Sequence, residues 1–197
     1  MKKIIFSLCA LLALTAILLS PASSQKKKST YVGSAQCKKC HGTDALGNQV
    51  RAWEGTLHSK AYRNLRTEKG SKVAERAHVA SPSEDQQCLK CHSPSGAENP
   101  KLASEGVGCE ACHGPASEYI DLSNHGALND KEKDYARATT YGMYKVLGYE
   151  GIKLRERMCK RCHSLDRPCA PDDIEERKRQ DMSLSVIADH VFKHSLR

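Results

Sequence analysis

A mainly α-helical, loop-rich fold with little sheet is predicted for this 197-residue chain by three observations. Four Cys-x-x-Cys-His segments recur along it, and each needs a short stretch of helix to bring its three side chains together. Apolar residues make up only 39%, with one Trp and two Phe, too thin a supply for an ordinary layered core. The segments that carry a clear secondary-structure signal, around Trp53, before Cys159 and after Pro171, read as helix.

In chain order, residues 1–24 begin with Lys2 and Lys3, continue as an apolar run from Ile4 to Leu19 and end in small residues. This pattern predicts a secretory signal peptide cut after Ala22 or Ser24. The run is near the lower length for spanning a bilayer, so an uncleaved anchor is the competing reading. Cys9 lies inside it and leaves with it; its local context does not suit lipoprotein processing. No later stretch is apolar enough to span a membrane, so residues 25–197 are expected to form a single periplasmic domain without a stable membrane span.

Residues 25–30, with Lys26, Lys27 and Lys28, read as a solvated leader. The stretch from Trp53 to Tyr62 reads as helix. Residues 81–85 read as a loop in which Pro82 sets up the approach to Cys88. Residues 93–108 are rich in Ser, Gly and Pro and read as irregular, and 124–149 carry no firm signal. A basic helix is expected over 153–161. After Pro168 and Pro171, Asp172 and Asp173 cap a final helix with Ile187, His190, Val191 and His194 on one inward face.

The four repeated segments are Cys37/Cys40/His41, Cys88/Cys91/His92, Cys109/Cys112/His113 and Cys159/Cys162/His163. On a helix, residues three and four apart share one face, so both thiols can reach the vinyl groups of a porphyrin while the imidazole comes under its iron. This is the attachment signature of c-type haem, and the chain is expected to carry four covalently bound haem c groups. The rival is zinc, because Cys88, Cys91, Cys109 and Cys112 fall within the spacing of a four-cysteine zinc site. A zinc site does not require a histidine directly after each pair, and here all four pairs have one, with only 9 His in the chain. Haem is therefore the reading adopted.

Four porphyrins would also supply the apolar surface that the side chains lack, so the chain without haem is expected to be largely unfolded. The formal charge of +8 falls by two when Lys2 and Lys3 leave. It falls by about one more for each ferric porphyrin with its two propionates, leaving a nearly neutral protein and no basis for nucleic-acid binding.

Each motif histidine is expected to be a proximal ligand, which leaves His58, His78, His125, His190 and His194 for the distal positions. Histidine on both sides gives a low-spin, low-potential iron suited to electron transfer, whereas an open sixth position admits a small molecule. Met143, Met158 and Met182 are alternative axial ligands, although methionine more often fills packing gaps. Cys169, between Pro168 and Pro171, is the leftover cysteine; it is read as buried and inert, as a link between chains, or as a neighbour of the fourth haem.

Three segments carry a family resemblance: Tyr31-Val32-Gly33, the run Trp53-x4-His58-x-Lys60-Ala61, and Gly106-Val107-Gly108-Cys109-Glu110-x-Cys112-His113-Gly114-Pro115. Together they resemble the cytochrome c-554 family of tetrahaem cytochromes. The resemblance implies a mainly α-helical fold with closely packed, partly stacked haem pairs. It implies that His58 ligates the third haem, His125 the first and His190 the fourth, while the second haem lacks a sixth protein ligand. His78, ten residues before Cys88, is a candidate for that open position, and His194 competes with His190.

The function expected is electron transfer between a redox protein donor and an acceptor, in respiratory or nitrogen-compound metabolism as the resemblance implies. The alternatives are reduction of nitric oxide or another small nitrogen oxide at an open second haem, and service as a sensor or as an electron-transfer subunit of a larger complex. No catalytic residue is assigned: the segment around Cys88 to His92 offers no clear Arg, Lys or Tyr constellation for proton delivery.

Overall fold

A computed structural model describes residues 28–126, 130–164 and 166–170. Among them are helices and turns and no strand. The expected signal peptide and the terminal helix with His190 and His194 lie outside the described residues, as does Met182. No helix among the described residues is long and apolar enough to cross a membrane.

Ten short α-helices follow one another: α1 (Ser34–His41), α2 (Gln49–Glu54), α3 (Ala61–Asn64), α4 (Glu68–Arg76), α5 (Gln86–His92), α6 (Pro94–Glu98), α7 (Cys109–His113), α8 (Leu122–His125), α9 (Lys131–Thr140) and α10 (Gly148–Lys160). Three 3-10 turns, Asp44–Leu46, His58–Lys60 and Pro100–Glu105, fill gaps between them. Several starts are fixed by local side chains. Thr67 accepts from the Gly70 N–H, Asp85 from Gln87, Asp121 from Ser123 and Asp130 from Lys133, each satisfying a donor that the first helical turn leaves open.

The helix expected from Trp53 to Tyr62 is broken in two. The Thr56 hydroxyl donates to the Trp53 carbonyl at 2.7 Å, and the Ser59 hydroxyl donates to the carbonyls of Glu54 and Thr56. These local bonds compete with helix continuation and leave a 3-10 turn that presents His58. Residues 93–108, expected to be irregular, hold α6 and the turn Pro100–Glu105, both of which begin with proline at the first position. The Asn99 side chain accepts from the Lys101 N–H at 3.2 Å at the start of the second. Helix α9 falls where no signal was read, and α10 begins at Gly148, ahead of the expected Lys153.

Gly96 is buried where α6 meets the turn that follows it. A Cβ there would stand 2.4 Å from the Ala103 Cα and 2.5 Å from the Ser93 Oγ. Backbone cannot step aside as a flexible side chain does, so Gly96→Ala is expected to destabilise the fold by about 1–3 kcal/mol, read as a lower melting temperature.

The side-chain core is small. Ala116, Tyr119 and Ala138 form one buried cluster with Val32 and Met143 packed against it. Met143 thus fills a packing gap. The largest fully buried side chains are Glu110 and Ser93, neither of them apolar. Val50, Leu65, Leu89 and Val146 are buried apart from that cluster.

Candidate haem sites

The motif cysteines and histidines sit on α1, α5, α7 and the end of α10, with Cys162 and His163 in the turn just beyond it. Two segments that bracket the first and third motifs are locked together. The Trp53 indole N–H donates to the Val107 carbonyl at 2.9 Å, and the Val107 N–H donates to the His58 carbonyl at 3.0 Å. A Cβ on Gly106 would lie 2.7 Å from that same carbonyl, and one on Gly108 would lie 2.6 Å from the Ser34 Oγ. The Gly106-Val107-Gly108 run is thus required by close backbone approach, and it holds the His58 turn against the chain entering α7.

Two imidazole pairs result. The rings of His41 and His125 have centroids 5.8 Å apart, and those of His58 and His163 are 6.0 Å apart. Imidazole–metal bonds of about 2 Å, extended by the ring on each side, place two imidazoles across one metal ion about 6 Å apart between centroids. Both pairs therefore suit a shared iron. Burial pushes His58, His125 and His163 below the ordinary histidine range, favouring the neutral ring that ligates a metal.

His125 thus meets the first motif. His58 meets His163 of the fourth motif, whereas the resemblance implies His58 for the third haem and His190 for the fourth.

Two motif histidines, His41 among them, are oriented from behind. His92 Nδ1 is 2.9 Å from the Ala61 carbonyl oxygen, and His41 Nδ1 is 3.2 Å from the Gln49 Oε1. Both partners only accept, so each Nδ1 donates and Nε2 is left for a metal, the usual outer support of a ligating histidine. Neither Gln49 nor Ala61 was legible as an orienting group, since neither stands at a recognisable spacing from a motif. The His113 carbonyl accepts from the Tyr144 N–H at 2.9 Å and from the Tyr119 hydroxyl at 3.3 Å, which fixes the chain leaving α7.

Around His92 the side chain that approaches is Cys169. Its thiol hydrogen-bonds the ring, which raises His92 and lowers Cys169 from their ordinary values. Cys169 is exposed, so the buried reading does not hold. His78 is exposed at the end of α4, in the left-handed region at φ 55°.

The anchoring thiols also come together across motifs. Cys37 hydrogen-bonds Cys109, Cys91 hydrogen-bonds Cys162, and Cys112 lies close enough to Cys159 to feel its charge. In each bonded pair one thiol is lowered, Cys109 and Cys91, and its partner raised, as two thiols sharing one proton require. Burial pushes Cys112 up to about 11.

The donor set is that of haem c, with thiols in pairs and imidazoles at iron-spanning distance. A group of three or more His, Cys, Asp or Glu that would hold a bare metal ion does not occur among the described residues. Buried Ser93 Oγ, Ser95 Oγ and Arg155 Nε have no hydrogen-bond partner among the described residues. Such atoms suit a neighbour with acceptor oxygens, as haem propionates are.

The family described as Cytochrome c554 and c-prime matches residues 36–114, a stretch that holds the first three motifs. Over that stretch this chain is similar to the cytochrome c-554 family. Cytochrome c-554 of Nitrosomonas europaea is 28% identical over 121 residues, which cover 56% of this chain and 49% of that protein. The chain thus matches about half the length of its curated relative. No solved structure matches. The similarity indicates a c-type cytochrome with covalently bound haem c, and the mainly α-helical fold agrees with it.

Proposed function

We propose that this chain is a periplasmic tetrahaem cytochrome that carries electrons between a redox protein donor and an acceptor. The observation that carries the reading is the pair of imidazole couples, His41 with His125 and His58 with His163, each at the separation of two ligands on one iron. Residues with an imidazole on both sides hold iron six-coordinate and low-spin, which favours outer-sphere electron transfer over binding of substrate.

Cys37/Cys40, Cys88/Cys91, Cys109/Cys112 and Cys159/Cys162 would each tether one haem, with His41, His92, His113 and His163 as proximal ligands. His125 would complete the first site and His58 the fourth. If the thiols that approach one another mark adjacent haems, the sites would run first, third, fourth, second, and neighbours in space would differ from neighbours in sequence. Bound haem supplies the one-electron chemistry, and electrons would hop along that order.

A second reading rests on His92, which is met by a thiol where His41 and His163 are met by imidazole. A second haem without a distal histidine would bind nitric oxide or a related nitrogen oxide and reduce it. Electron paramagnetic resonance of the oxidised holo-protein, with intact mass to count haems, tests both. Four haems, with at least those of the first and fourth motifs low-spin, are expected. A high-spin ferric signal assigned to the second haem would favour the reductase reading, and fewer than four haems would sink the tetrahaem proposal.

A further inference from the structure

We propose that Glu110 is a positioning residue whose carboxylate fixes the first and third haem motifs against each other and thereby sets the coupling of the haems they carry. The proposal rests on the haem reading given above.

Glu110 lies on α7 between the two cysteines of the third motif and is 2% exposed. Its carboxylate gathers backbone donors from two other segments. Oε1 accepts from Ala116 N at 2.7 Å and Val32 N at 3.1 Å, and Oε2 accepts from Gly33 N at 2.8 Å. Val32 and Gly33 lead directly into α1, which carries Cys37, Cys40 and His41, and that helix has no side-chain cap of its own.

A second carboxylate continues the seam. Glu105 accepts from Ser34 N at 2.9 Å and from Ser34 Oγ at 3.1 Å, while the Cys109 N–H donates to Ser34 Oγ at 3.2 Å. The open donors at the start of α1 are thus taken up by acids flanking and within the third motif, where a negative group also complements the helix dipole. The Cys37 and Cys109 thiols meet at the same junction.

A carboxylate placed only for stability could sit anywhere in the fold. This one stands between two anchoring cysteines and reaches the residues that aim the first motif. Glutamine at this position would turn an amide N–H₂ toward backbone N–H groups, donor against donor, and the two motifs would shift relative to each other.

The test uses the full holo-protein with Glu110→Gln, and exposed Glu84→Gln as control. Intact mass reports the haem count, and circular dichroism in the Soret band reports exciton coupling between neighbouring haems. With four haems retained, the couplet of Glu110→Gln is expected to fall about twofold or more, because a supporting shell must hold such groups to within about 0.5 Å. The control is expected to keep the wild-type couplet. A merely structural role would lower the melting temperature and leave the couplet unchanged, and that result overturns the proposal. If Glu110→Gln is not recovered with four haems, Ser34→Ala decides. A smaller loss of the couplet supports the proposal, and the wild-type couplet overturns it. Wild-type protein lacking haem would instead remove the reading on which the proposal rests.

Discussion

Replacing both Cys159 and Cys162 with alanine is expected to remove one haem and to break the electron path into two parts. On the proposed order the fourth motif would lie between the others: the charge of Cys159 is felt at Cys112 in the third motif, and Cys162 bonds Cys91 in the second. Its loss would separate the first and third sites from the second. The described core offers little compensation, since its one buried cluster is Ala116, Tyr119 and Ala138. A domain's net stability is only about 5–15 kcal/mol, so removing the apolar plate beneath α10 is expected to consume most of it. Intact mass should fall by one haem, and far-UV circular dichroism should show a far lower melting temperature. Retention of all four haems by the double variant would contradict the attachment scheme.

His58→Ala is expected to abolish one low-spin ferric signal entirely and to replace it with a high-spin one. The ring of His58 is held 6.0 Å from that of His163 by the turn that Thr56 and Ser59 cut from the preceding helix. With alanine there, His163 alone would hold the iron, leaving its other face open to carbon monoxide in the reduced protein. The identity of the altered haem separates two pairings. If the high-spin centre is lost when Cys159 and Cys162 are also replaced, His58 serves the fourth haem. If it is lost when Cys109 and Cys112 are replaced, the pairing implied by family resemblance stands and the placement of His58 against His163 does not carry over to the holo-protein.

The four attachment segments were legible because their chemistry is local. A thiol, a thiol and an imidazole at helical spacing need only one turn of chain, and that turn is found on α1, α5, α7 and at the end of α10. The distal partners were legible only as histidines available for the task. His125 meets His41, while His58 reaches His163. That choice is made by tertiary contacts, the Trp53 indole on the Val107 carbonyl and the Val107 N–H on the His58 carbonyl, which no spacing rule encodes. Helices α6 and α9 are hidden for a different reason. Pro94 and Pro100 lie in a Ser/Gly/Pro-rich stretch of irregular character, yet both stand at the first position of a helical turn, and Asp130 caps Lys131–Thr140 within a polar stretch that has no clear apolar period.

The crossing of histidines between distant segments bears on how such a protein is built. His125, which faces the first motif, follows the third motif, and His163, which His58 faces, belongs to the last. As the chain emerges from the ribosome, the first attachment segment precedes by a long interval the imidazole that faces it, whereas His58 is in place long before the fourth segment arrives. A polypeptide truncated after α7 would keep three attachment segments and His58, but would lose both His125 and the whole fourth motif, so that the first site would be left without its facing imidazole.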